Sequence, residues 1–350
     1  MHCNNSSPVA NITTTLGEYE TLRQTVYSII IPSICGFGIL GNSLNLIIFA
    51  YRLSRRCLDN LERSATVGLI ALAISDLLFC VVVFPAAFLQ HSPRGVTQSR
   101  LTTLAFYYSH YRGPLINLFL LTSTWLICLI SLERFVVVCK PIRARWVIRV
   151  RKTVAIHTGI CLLAVTLVIP EFVKFKVMKN DCGDCVCFGI AYYAPILNAT
   201  FRTVYKALFT IFGTFLPLLI LIACNVRLII ELYRCKAMGI ADPARYCTPR
   251  ITMVVVGIVV SYLILVCPSM VLEQLANTKL ISTQDGQALA RFRIAVVVAN
   301  LMQSCKFACN FLLYCAVNKQ FREHVSNLMR KSSVKHSSET TNRYNMVQLA

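Results

Sequence analysis

Charge is scarce in this chain, and acidic charge scarcest of all. Of 350 residues only 14% are charged, with 15 Asp and Glu against 35 Lys and Arg, whereas 56% are hydrophobic and the mean hydropathy is +0.62. Soluble domains carry about 25% charged residues, so an ordinary soluble enzyme is excluded and lipid must cover much of the surface. The usual marks of catalysis are also missing: no metal-binding His pair, no nucleophile beside a base and no phosphate-cradling glycine loop. The chain reads as no enzyme, with no cofactor and no metal site. Met1 to Thr25 is polar and holds no basic segment followed by an apolar run, so no cleavable signal peptide is expected. The first apolar helix then has to target the membrane by itself.

What is present in abundance is apolar runs of spanning length. A membrane-crossing helix needs about 20 mainly apolar residues. Seven windows qualify: 26 to 50, 65 to 89, 113 to 138, 153 to 170, 207 to 231, 251 to 272 and 294 to 317. The expected fold is therefore all-α, a bundle of seven transmembrane helices over residues 26–317. It is preceded by a short N-terminal segment, 1–25, and followed by a tail, 318–350.

Orientation follows from the loops. The segments after the first, third, fifth and seventh windows together hold 20 Lys and Arg, and those on the other side hold 12, alongside seven acids. The richer side belongs in the cytoplasm and the N-terminus outside, in the plasma membrane. The Asn-x-Ser/Thr sequons at Asn4, Asn5, Asn11 and Asn198 all fall on the outer side, where they can be glycosylated. The net charge of +20 is spread over short loops flanking apolar spans, so it points to anionic membrane lipid and an acidic cytosolic partner, not to nucleic acid. Most of the 17 cysteines lie inside spans as small apolar residues. Cys3, Cys182, Cys185 and Cys187 face the oxidising side and are disulfide candidates, with three possible pairings.

Charges inside spans cost roughly 2.5 to 3.5 kcal/mol each on insertion scales, which makes each a candidate for function. Asp76 sits in mid-span with no charged residue within a helical turn. The seventh span offers Lys306, four residues before Asn310 and on the same face. A cation and an anion at similar depth can neutralise each other, either as a structural lock or as part of a switch. Glu133 and Arg134 close the third span, where an Arg can be held or released by its neighbours. Pro32, Pro85, Pro170, Pro217 and Pro268 lie within or at the ends of spans and are expected to kink them.

The order of these features resembles the rhodopsin-like family of G-protein-coupled receptors, over roughly residues 26–325. The resemblance is carried by Gly41-Asn42, Leu72-Ala73-Ile74-Ser75-Asp76, Glu133-Arg134-Phe135, Pro217, Pro268 and Asn310-Phe311-Leu312-Leu313-Tyr314. Asn318-Lys319-Gln320-Phe321-Arg322 is similar to the family's membrane-surface eighth helix. Finer details are similar to invertebrate FMRFamide-type neuropeptide receptors: Phe215-Leu216-Pro217 leading to Asn225-Val226-Arg227-Leu228, the Ile169-Pro170-Glu171-Phe172 exit, and Asn310-Phe311 in place of Asn-Pro. The resemblance implies a receptor for an extracellular, short amidated peptide that signals through a heterotrimeric G protein. A receptor for a lipid or other small molecule is the alternative. A transporter or channel is disfavoured because no inverted repeat is found.

The resemblance also implies roles. Asp76, Ser123, Lys306 and Asn310 surround a sodium site in the family, and here an ammonium is expected to replace the ion. Arg134, Asn310 and Tyr314, with Glu133, are implied for the inner switch. Gln90, Tyr111, Asn117, Glu171, Glu273 and Gln274 are ligand-binding candidates, the acids suiting a peptide arginine. Ile116 occupies the usual amine-binding position, which disfavours a biogenic amine. Ser332, Ser333, Ser337, Ser338, Thr340 and Thr341 are candidate phosphorylation sites for arrestin docking. Departures from the family pattern are Ser109 in place of a stapling cysteine, Val266 in place of a span-six tryptophan, Asn225 in place of a tyrosine, and no acid opening span six. Opsins attach retinal at the position of Ser304. Lys306 lies two residues further, about 200° around the helix.

Overall fold

A computed structural model of the chain describes residues 8–54, 58–89, 100–182, 185–192, 199–237, 249–277, 286–317, 321–323 and 326. Among these, seven helices are long and apolar enough to cross a membrane: Gly17–Ser54, Asn60–Leu89, Thr103–Cys139, Val150–Val173, Thr200–Arg234, Thr252–Ala276 and Gly286–Ala316. The helices continue past the apolar windows, because a helix does not end where its apolar stretch does. Helix already runs from Pro8 to Thr25 ahead of the first apolar window. Large side chains such as Leu40 (67% exposed) and Leu219 (66%) point outward from the bundle, an arrangement that only an apolar surround makes favourable.

The fourth span is followed by a β-hairpin not anticipated from the helical pattern. β1 (Phe175–Cys182) pairs antiparallel with β2 (Cys185–Tyr192), with Phe175 opposite Tyr192 and Cys182 opposite Cys185 at the closed end. Asn4, Asn5, Asn198, Cys3, Gln90 and the tail serines and threonines lie outside the described residues, as do the side chains of Asn11, Cys182, Cys185 and Cys187.

Prolines act where they remove a backbone donor. In both the first and fifth spans the helix widens into a π turn just before a proline, Val26–Ile30 ahead of Pro32 and Ile211–Phe215 ahead of Pro217. In the fifth span the Leu216 N–H reaches back five residues to Ile211 O, so the next carbonyl, Phe212 O, faces a proline with no N–H to give. Trp125 Nε1 of the third span donates to that carbonyl at 3.0 Å. The kink is thereby stitched to its neighbour. The sixth helix is interrupted between Leu265 and Cys267, ahead of Pro268, and the second between Val83 and Ala86 at Pro85.

The first and seventh spans pack closely at Gly38. A Cβ there would sit 2.9 Å from the Ala308 Cα and 2.7 Å from Cys80 Sγ, contacts that no side chain tolerates. One turn on, Asn42 Nδ2 donates both to Gly38 O (3.0 Å) and, across the interface, to Phe307 O (2.9 Å). Gly38→Val should therefore destabilise the bundle by about 1–3 kcal/mol through overpacking, read as a lowered midpoint of thermal unfolding in detergent. Gly17→Val, with nothing within 4 Å of its Cβ position, should leave that midpoint where it is.

Candidate functional site

At the centre of the bundle Lys306 Nζ lies 2.8 Å from Asp76 Oδ1, with both side chains fully buried. The ammonium also donates to Ser123 Oγ at 2.6 Å, and Ser123 passes its own proton to Asp76 Oδ1 at 2.9 Å. Asn310 Nδ2 donates to the other carboxylate oxygen, Oδ2. The second, third and seventh spans thus meet on one carboxylate, which accepts three hydrogen bonds. The spacing of four that puts Lys306 and Asn310 on one helix face lets the seventh span approach both oxygens at once. Both oxygens are engaged by protein donors, so this set does not fit a sodium ion as arranged. Beside it, Lys306 Nζ stands 4.1 Å from the Phe307 ring centroid, and Phe307 stacks on Phe79 with centroids 3.7 Å apart. Among the described residues no group of three or more His, Cys, Asp or Glu gathers to hold a metal.

At the end of the third span Glu133 and Arg134 go separate ways, and no ion pair joins them among the described residues. Glu133 Oε1 accepts from Thr153 Oγ1 at 3.0 Å and from Ser64 Oγ at 3.5 Å, tying it to the second and fourth spans. Among the described residues Arg134, wholly buried, donates only a long bond from Nη2 to Leu61 O (3.4 Å) and leaves Nε and Nη1 without partners. Tyr314 packs edge-on against Phe49 at 5.1 Å and beside Phe321 at 5.6 Å. Arg322 Nη1 caps the seventh helix, donating to Cys315 O (2.8 Å) and Ala316 O (3.0 Å).

Toward the opposite end a cavity of about 340 Å³ opens between the first, second, third, sixth and seventh spans. Asn117 and Glu273 line it. The other described ligand-binding candidates are elsewhere. Tyr111 stacks near Phe172 with centroids 6.3 Å apart, Glu171 is held by Lys174 Nζ at 2.6 Å, and Gln274 Oε1 accepts from Thr210 at 2.8 Å. The cavity instead collects Arg112, Ser269, Asn300 and Gln303, which the sequence reading passed over, and Ser304, considered there only as the opsin attachment position. Ser269 Oγ bonds Gln303 Oε1, and Asn300 Nδ2 donates to Tyr27 OH at 2.7 Å. The signal was present: Asn300, Gln303, Lys306 and Asn310 recur at helical spacing along one face of the seventh span. Phe79 lines the cavity as well, so its floor is the same ring that stacks over Phe307 beside Lys306.

Residues 41–314 match the 7 transmembrane receptor (rhodopsin family). The chain belongs to that family. It is similar to the C5a anaphylatoxin chemotactic receptor 1 of Oncorhynchus mykiss, 24% identical over 88% of this chain and 86% of the relative. The C-C chemokine receptor type 8 of Homo sapiens is 25% identical, over 85% of this chain and 76% of its own length. Squid rhodopsin shares the fold, with a TM-score of 0.62 over 89% of this chain and 87% of the rhodopsin chain at 18% identity. Membership makes this a multi-pass plasma-membrane receptor that answers an extracellular ligand and signals through a G protein.

The receptor departs from the family pattern in how its helices are tied. Val266, in the place of the span-six tryptophan, is fully buried. One turn earlier Tyr262 links spans instead, its hydroxyl 3.1 Å from Thr124 Oγ1 of the third span and donating to Met270 Sδ at 3.2 Å. Ser109, in the place of the stapling cysteine, closes on its own helix by donating to Phe106 O at 2.9 Å.

Removing one partner of a buried ion pair leaves an uncompensated charge and costs about 3–5 kcal/mol. Lys306→Met alone should lower the thermal midpoint of the purified receptor sharply, and Asp76→Asn on the Lys306→Met background should restore part of that loss. Additive losses in this double-mutant cycle would contradict the pairing.

Proposed function

We propose that the receptor is activated by a short peptide that enters the cavity between the third, sixth and seventh spans with a basic group on Glu273. The carrying observation is the cavity's charge. Arg112 and Glu273 line it from different helices, and neither has an ion-pair partner among the described residues. Arg112 rests over the Tyr108 ring at 5.8 Å and supplies the cation that meets an anionic or carbonyl group of the ligand in this reading. A ligand carrying hydrogen-bonding backbone together with a cation satisfies both, as a peptide does. The names of two similar receptors specify an anaphylatoxin and chemokines as their ligands. The amidated terminus is the expectation drawn from the FMRFamide-type resemblance.

The orientation that accompanies this reading puts residues 1–25 and the hairpin outside, and the Arg134 end and residues 318–350 in the cytoplasm, on the strength of the Lys and Arg distribution. Ligand binding and G-protein binding are then coupled through one bundle, each favouring the same arrangement. Ligand pressing on Phe79 acts on Phe307, which abuts Lys306. The Asp76 network extends to Asn310, one turn before Tyr314. Arg134, buried with two nitrogens unsatisfied, gains hydrogen bonds from any arrangement that admits an acceptor from the G protein, since each unmade bond of a buried polar group costs about 1–3 kcal/mol. The lysine that replaces a sodium ion makes this switch independent of sodium. Tail phosphorylation and arrestin docking complete the proposal.

Cells expressing the receptor, screened with amidated neuropeptides and their free-acid counterparts, should show G-protein activation that Arg134→Ala abolishes. Glu273→Gln should weaken peptides with an arginine about 10-fold or more and spare their citrulline analogues. Silence from surface-expressed receptor against every peptide would transfer the reading to a lipid or other small molecule. Separately, exchanging sodium chloride for choline chloride should leave the thermal midpoint of the wild-type receptor unchanged, while Lys306→Asn should become sodium-dependent. Sodium dependence in the wild type, unaltered by Lys306→Asn, would remove the ammonium from this role.

A further inference from the structure

At the Arg134 end, away from the helix interior, a groove of about 1500 Å³ runs between the start of the second span, the helix Pro141–Val147 and the start of the fourth span. Its walls carry Arg63, Arg145, Arg149, Arg151 and Lys152, with Trp146 beside them. Among the described residues none of the five cations is in an ion pair. The acids close by are otherwise committed or few: Glu62 lies 3.9 Å from Arg52, Glu133 is hydrogen-bonded to Thr153 and Ser64, and Asp59 precedes the second span. Arg63 Nε is buried without a hydrogen-bond partner.

The placement of these cations works against stability. Arg149 is the N-cap of the fourth helix, makes no side-chain cap bond, and is followed by Arg151 and Lys152 with no acid in the first turn. A helix N-terminus is already positive, so three cations there repel both it and one another. An anion in the groove relieves all of these at once. Trp146 is 72% exposed and Ile142, one turn earlier on the same face, 79%. A lone exposed Trp with an aliphatic neighbour, at the level where the spans end, is the pattern of a side chain seated among lipid headgroups.

We infer that this groove binds the polyphosphorylated inositol headgroup of a membrane phosphoinositide, with Arg149, Arg151 and Lys152 on its phosphates and Trp146 against the lipid. Basic pockets between spanning helices on the cytoplasmic side suit such headgroups, and Arg forks match phosphate oxygens pairwise. Several converging cations favour a multiply charged headgroup over singly charged phosphatidylserine. The inference rests on the orientation proposed above only for the leaflet that supplies the lipid.

The test uses the full-length receptor in detergent, where both ends are accessible and no agonist is needed, so it stands or falls separately from the ligand reading. A fluorescent short-chain phosphatidylinositol bisphosphate is titrated by anisotropy. Neutralising a cation near an anionic surface removes roughly a factor of five, so Arg149→Gln/Arg151→Gln/Lys152→Gln should weaken binding about a hundredfold. The charge-keeping Arg149→Lys/Arg151→Lys should retain most of the affinity. Trp146→Ala should weaken the lipid more than soluble inositol trisphosphate, because only the lipid brings acyl chains. Equal weakening by Lys331→Gln/Lys335→Gln/Arg343→Gln in the tail would overturn the inference in favour of diffuse charge. Equal affinity for short-chain phosphatidylserine would overturn it too, as would a groove triple that binds the lipid like wild type.

Discussion

A carboxylate surrounded by helices, themselves surrounded by lipid, keeps its charge only if a cation reaches it. Asp76 in the second span therefore constrains where the seventh span can run. Lys306 and Asn310, a turn apart, close on its two oxygens, and Ser123 brings the third span to the same point. The seventh span is then drawn against the first, where Gly38 leaves no room for a side chain and Asn42 bonds across to Phe307 O. Four of the seven spans are thus located by one neutralised charge and the contacts it forces.

From that centre the same residues reach both ends. Phe307 carries the ammonium on one face of the network and stacks on Phe79, a wall of the cavity lined by Asn117 and Glu273. In the other direction Asn310 leads to Tyr314 and its aromatic cluster with Phe49 and Phe321. A packed, hydrogen-bonded centre of this kind has few alternative arrangements, which is what the proposed two-state response requires. Arg134 sits apart from Glu133 with most of its donors unused, so the described arrangement leaves something to be gained at that end by a partner.

Some of this was legible from residue order. Apolar run length gave the seven spans, because lipid imposes about 20 residues on any helix that crosses it. The rarity of charge inside those runs singled out Asp76 and Lys306 without any structure. Periodicity alone also contained the polar stripe of the seventh span, although Asn300 and Gln303 were passed over as ordinary polar residues. The hairpin was missed because its alternating pattern lies between spans, where hydropathy says little. Glu171 and Gln274 have the right chemistry for a ligand, and the structure holds them on Lys174 and Thr210, outside the lining of the cavity.

By itself the sequence determined the class of protein: a seven-span bundle, poor in acid, with Asp76 and Lys306 deep inside apolar spans. That followed from the cost of moving polar groups into hydrocarbon, which depends on composition and spacing within a single helix. The tertiary structure decided the pairings. Trp125 meeting the carbonyl that Pro217 orphans, Glu133 turning to Thr153 instead of Arg134, and Arg112 facing Glu273's cavity all depend on side chains from different helices arriving within hydrogen-bond or cavity distance. Those distances are set by how the helices pack, which no one helix encodes.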